Sequence, residues 1–164
     1  MAGTMKRFIS INGFEGNRWP SADQLEQSFL DPARRNWAFW DGGGGGYISV
    51  SGLDGTENEP DGPKRSNARI AVRAHRKHGA TLDHHWWDGK RHVSTSHLSL
   101  GNVSDLSTLA HLDNRQPYAV GLFIPFELAW LAIKDFMVDP VQPSTSVPWI
   151  NAKDLPPSAI PPFP

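Results

Sequence analysis

Six of the chain's seven histidines lie between positions 75 and 97, and imidazole is the side chain with the widest chemical range at neutral pH. Metal ligation, proton transfer and activation of a hydroxyl are the reactions such a cluster could serve. The run His84-His85-Trp86-Trp87 alternates sides if it is a strand, so the adjacent histidines cannot act on one ligand together. A two-residue turn at Asp88-Gly89 sets His85 beside His92, close to Asp83. Two converging imidazoles fall short of the three or four ligands a zinc site draws, so a polar sheet face is expected and no metal. In Ser94-Thr95-Ser96-His97 the hydroxyls and the imidazole also alternate sides, and no Gly-x-Ser-x-Gly elbow is present. Asp41 and the glycines 42–46 lead into Tyr47-Ile48-Ser49-Val50, which alternates like a strand. Phosphate loops and dinucleotide fingerprints both need a helix after the glycines, so a hairpin tip is expected there. Glu57 and Glu59 stand in a polar loop without a cleft to share. The expectation is a non-enzymatic binding protein without a cofactor.

What remains is a basic and aromatic set: Arg69, Arg73, His85, Trp87, Lys90 and His92. A tryptophan flanked by arginine and histidine has the composition of an interface hot spot, and these six are the candidate partner-binding residues. Arg73 is expected opposite Asp83, which reduces the free positive charge. A formal net charge of −1 argues against a nucleic-acid binder and against an acidic nucleic-acid mimic.

The elements that must position these residues follow from periodicity. Residues 68–75, 81–87 and 90–98 read as a three-strand meander, with Leu82, His84, Trp86 and Val93 on the core face. Gly79 suits the left-handed position of a three-residue loop at 77–79, which places Ala74 opposite Leu82 and Val72 opposite His84. Lys6 to Phe14 predicts an opening strand; Ser21 and Gln24 predict a helix start with Leu25 and Phe29 on one face, ending at Asp31-Pro32. Residues 36–40 predict a strand, and 54–67 a mobile polar loop. A short helix is expected near 104–112 and a strand over 118–124. Pro125 is expected as the first residue of a largely buried helix running to Val138, with Glu127, Lys134 and Asp135 as its polar stripe. The whole is an α+β domain over residues 1–150, a mostly antiparallel sheet of about six strands with two main helices packed on one face. A Pro-rich tail, 151–164, is expected to stay extended.

Composition is ordinary for a folded domain, 38% hydrophobic and 20% charged over 164 residues. The absence of cysteine removes disulfides and thiolate chemistry and suits a reducing cytoplasm. No apolar run follows MAGTMKRF, so no signal peptide is expected, and no stretch reaches the roughly 18 apolar residues of a membrane span. Seven tryptophans against two tyrosines imply a Trp-rich core or interface.

One longer pattern is distinctive. Leu122-Phe123-Ile124 enters Pro125-Phe126-Glu127, followed by Ala129, Ala132-Ile133, Phe136, Pro143 and Val147-Pro148-Trp149-Ile150. With the glycine-bearing hairpin and the central meander, residues 36–150 resemble a family of small bacterial immunity proteins from polymorphic toxin systems. Asp139-Pro140 departs from the glycine that family commonly has after the helix, and 54–67 reads as an insertion. The resemblance implies a cytoplasmic protein that binds a cognate toxin and occludes its active site, with no catalytic residues to carry over. The alternative is a small-molecule or peptide-binding domain with a Trp-lined pocket between sheet and helix.

Overall fold

The structure, a computed structural model, describes residues 8–11, 14–30, 46–75, 77–112 and 115–159. The strand expected at 36–40, the glycines 42–45 and the stop at Asp31-Pro32 lie outside the described residues.

Alternating apolar residues build the centre of the molecule. The strands are β1 (Phe8–Ile11), β2 (Phe14–Gly16), β3 (Gly46–Leu53), β4 (Ser66–His75), β5 (Gly79–Asp88), β6 (Val93–Ser99), β7 (Leu109–His111), β8 (Pro117–Ala119) and β9 (Trp149–Asn151). Seven of them form one antiparallel sheet in the order β2-β1-β3-β4-β5-β6-β9, and β7 pairs with β8. Two helices, α1 (Ala22–Leu30) and α2 (Phe126–Val138), pack on one face of the large sheet. The fold is therefore α+β, as the periodicity implies. Among the described residues no helix is long and apolar enough to cross a membrane.

The face toward the helices carries Ile48, Val50, Ile70, Val72 and Leu82, all essentially inaccessible. Against them α2 packs Trp130, Ile133 and Phe136, while Phe29 of α1 sits edge-on to Phe126 at 5.7 Å between ring centres. Each such large side chain removed from water contributes about 1.5–3 kcal/mol. The exposed side of α2 is broader than the predicted polar stripe, because Leu128 and Leu131 share it with Glu127 and Lys134. Pro125 (φ −56°, ψ 148°) caps α2 from outside rather than forming its first residue.

Both hairpin registers differ from expectation by an even number of residues. Between β4 and β5, Ala74 pairs with Ala80, Val72 with Leu82 and Arg73 with Thr81, so Asp83 stands opposite Ala71. Gly79 lies at φ +100°, and a Cβ there would overlap the carbonyl oxygen of Ile124. The backbones of Ala80 and Ile124 exchange hydrogen bonds of 2.9 Å at this point. The glycine thus admits a crossing chain as well as a turn. Between β5 and β6 the loop is four residues, Gly89 to His92, with Trp87 opposite Ser94 and His85 opposite Ser96. The Asp88 carboxylate accepts from the amides of Lys90 (2.9 Å) and Arg91 (3.2 Å), and its carbonyl from His92 (2.8 Å), which holds φ +56°. This side-chain-built turn overrides the two-residue Asp-Gly turn. Even shifts leave the faces of β5 unchanged. Val93 is the exception, 47% exposed at the sheet's end instead of in the core.

The remaining differences lie around the second half. The helix expected near 104–112 is a 3-10 turn, Val103–Asp105, followed by β7. The strand expected over 118–124 is β8, a 3-10 turn at Val120–Leu122, and the Ile124 bridge. Of the residues expected to be an extended tail, Asn151 ends β9, Ala152–Asp154 and Pro157–Ala159 form 3-10 turns, and Ala159 is fully buried, while 160–164 lie outside the described residues. Ala159, Leu106, Ala119 and Leu122 make a second apolar cluster with Leu98 and Ile150, covering one end of the sheet's outer face.

Candidate functional site

The register of β3 to β6 draws two polar rows across the uncovered part of that outer face. One contains Ser49, Arg69, His85 and Ser96; the next contains Ser51, Asn67, Trp87 and Ser94. Tyr47 stands beyond the first row and is 48% exposed. Of these, Tyr47, Ser49, Ser51, Asn67, Arg69 and His85 floor an open cleft of about 600 Å³, whose wall is the segment between β3 and β4 with Asp61 and Arg65.

That wall was expected to be mobile, and it is instead organised around one buried guanidinium. Arg65 is 2% exposed, and its Nη1 donates to the carbonyls of Glu57 (3.0 Å) and Glu59 (2.7 Å) while its Nε donates to Ser51 Oγ (3.2 Å). The Asp61 carboxylate lies 3.9 Å from the same Nε. Space for the guanidinium comes from a bulge at Gly52, where a Cβ would stand 2.7 Å from Arg65 Nη2. Buried Thr56 completes the knot: its Oγ1 donates to the Leu53 carbonyl (2.6 Å) and accepts from the Ser66 amide (2.9 Å).

The six candidate residues do not form one patch. Arg69 and His85 are cross-strand partners and both line the cleft. Trp87 follows at the cleft's end, with its Nε1 donating to the Pro63 carbonyl (2.9 Å) and its ring edge-on to His92 at 5.7 Å. Lys90 and His92 line a separate depression of about 320 Å³ behind the loop, with Glu59 and Lys64. Arg73 is at the opposite end, its guanidinium carbon 5.1 Å above the Tyr118 ring. Its expected partner Asp83 accepts instead from Ser96 Oγ at 3.4 Å. The sequence reading missed Tyr47, Asn67 and Arg65. The signal for the first two was available, since Tyr47, Ser49 and Ser51 alternate on β3 as Arg69 does on β4. Nothing local distinguished Arg65 from the polar residues around it.

The histidines separate by face. His84 is buried against Phe136 and Trp149, and its Nε2 lies 2.9 Å from the Pro140 carbonyl. A carbonyl only accepts, so Nε2 carries the proton and buried Nδ1 is left without a partner. Burial lowers the His84 pKa below its ordinary value; the bond to Pro140 opposes this and the facing His97 adds to it. His85 and His92 are not cross-strand neighbours, which removes the geometry of the conceivable metal site. Among the described residues no three His, Asp or Glu side chains gather as metal ligands.

Compared with models of known protein families, with curated proteins and with solved structures, the chain matches none.

Proposed function

We propose that this chain is an immunity-type inhibitor that binds a cognate bacterial toxin in the cytoplasm and occludes its active site with the outer face of its sheet. The observation that carries the reading is the asymmetry of that sheet. Helices and a packed core fill one side, while β3 to β5 present Tyr47, Arg69 and His85 to solvent on the other, beside Trp87. Such a rigid strand platform with aromatic and arginine side chains supports protein recognition with little ordering cost. The resemblance in the C-terminal half adds to it. Its signature residues are structural: Pro125 caps α2, Phe136 is core, and Trp149 Nε1 donates to the Ser144 carbonyl at 2.7 Å. The alternative pocket between sheet and helix loses support, because Trp130, Ile133 and Phe136 pack into that space.

The test is co-expression with the product of the adjacent gene in a growth assay, together with purification of the complex. Rescue of growth is expected, and Trp87→Ala is expected to weaken the complex by at least roughly tenfold, as loss of a hot-spot aromatic does. A neighbouring product that is harmless, or one that kills cells equally with and without this chain, overturns the reading.

A further inference from the structure

We infer that Arg69, with His85 beside it, receives a carboxylate side chain of the bound protein, so that the partner surface carries an aspartate or glutamate seated in the cleft. This rests on the partner-binding reading of the outer face and names the chemistry that face selects.

The two arginines of the cleft differ in what engages them. Arg65 is buried and its N–H groups are directed at loop carbonyls and Ser51. Arg69 is exposed on the floor, and among the described residues no hydrogen bond or ion pair engages its guanidinium. In register it is flanked by Ser49 and His85, which offer no carboxylate. A planar guanidinium open to solvent on a rigid strand is pre-set for two parallel bonds to a carboxylate. The surrounding floor is rich in donors as well. Ser51 Oγ already accepts from Arg65, which leaves its own O–H to donate, and the Asn67 amide stands in the same row.

Charge decides which anion fits. Asp61 is the carboxylate of the cleft wall, and it repels a ligand of high negative charge. The charged lining is Arg65, Arg69 and Asp61, and with Arg65 beside Asp61 the net charge at the opening is a single positive one, that of Arg69. That matches a monoanionic carboxylate better than a phosphate dianion. A nucleic-acid backbone is matched worse still, since it needs several cations in line and this chain has a net charge of −1. The rim argues for a side chain on a protein rather than a free metabolite. Tyr47 and Trp87 flank the charged row, and a partner surface covers both while its carboxylate reaches the floor.

The experiment titrates the full chain, labelled for NMR, with N-acetyl-glutamate N-methylamide, with the matching glutamine compound and with inorganic phosphate. The expected result is that the glutamate compound moves the Arg69 and His85 side-chain signals. The glutamine compound and phosphate should bind at least roughly tenfold more weakly, since removing a charge-assisted hydrogen bond costs a factor of roughly ten to a hundred. Arg69→Gln should abolish the glutamate response, with Arg69→Lys intermediate because it keeps the charge but loses the fork. Phosphate binding as tightly as glutamate, or a glutamate response that survives Arg69→Gln, overturns the inference. The growth assay separates this from the parent reading. A toxin neutralised equally well by the Arg69→Gln chain leaves the immunity reading standing and sinks the carboxylate contact. A glutamate-specific, Arg69-dependent response in a chain that neutralises nothing sustains the carboxylate site and sinks the immunity reading.

Discussion

Along β5 the chain presents the same pair of side chains twice, His84 and Trp86 toward the helices and His85 and Trp87 away from them. The inner pair is held by packing. His84 touches Phe136 and Trp149 and has one hydrogen bond, and Trp86 packs against the core cluster with its indole N–H unpartnered. The outer pair has polar surroundings: His85 faces Arg69 and Ser96, and Trp87 bonds to Pro63. Identical residue types therefore do different work, and the covering layer decides which. Where α2 lies over the strand, burial makes histidine a neutral core residue. Where β7, β8 and the 3-10 turns stop short, the same side chain floors a cleft.

The largest break in this contrast is expected from the covering helix. Trp130→Ala, at a site 3% exposed, should destabilise the fold by about 3–5 kcal/mol in chemical denaturation, as large-to-small core changes do. A loss near zero would show that α2 does not set the inner face. On the outer face the comparable site is Arg65, where Met keeps length but not the hydrogen bonds. Arg65→Met should cost about 2 kcal/mol, in the range for hydrogen bonds from a charged group. Its main effect should be faster hydrogen exchange over residues 54–65, and unchanged protection there would contradict the organising role of the guanidinium.

The smallest effect is the most specific to the two faces. Because burial lowers the His84 pKa, the unfolded chain takes up a proton first as the pH falls. The stability this neutral histidine contributes is present above about pH 6.5 and is lost as the pH falls below it. His84→Gln should flatten the dependence of unfolding free energy on pH between about 7 and 5. An equal slope in wild type and variant would refute the buried neutral state. The same substitution at His85 should be read in partner binding instead.

How much was legible depends on the range of the forces involved. The parity of β4 and β5 was readable, because alternation survives any even shift in register. That is why Arg69, His85 and Trp87 stand on the outer face although both predicted hairpin loops were wrong. The loops themselves were not readable from turn dipeptides. Asp88 closes its turn with its side chain, and the amide of Gly89 donates to Ser66 Oγ, 23 residues away. A Cβ at Gly89 would overlap the Lys64 carbonyl, so that glycine answers to the distant segment between β3 and β4 rather than to its own turn.

The sequence by itself determined the α+β class, the inner and outer faces of the central strands, and the helix after Pro125, though not how much of that helix stays exposed. Periodic apolar burial is a local pattern, and it carries that information without knowledge of neighbours. Only the tertiary structure decided that Arg65 would be buried in a loop knot while Arg69 stayed open to solvent. It also decided that Lys90 and His92 would leave the patch and that Leu155 and Ala159 would pack against Leu122 and Ala119. Each of these turns on which distant carbonyl, bulge or apolar edge a side chain meets, and those partners are brought together only when the sheet has formed.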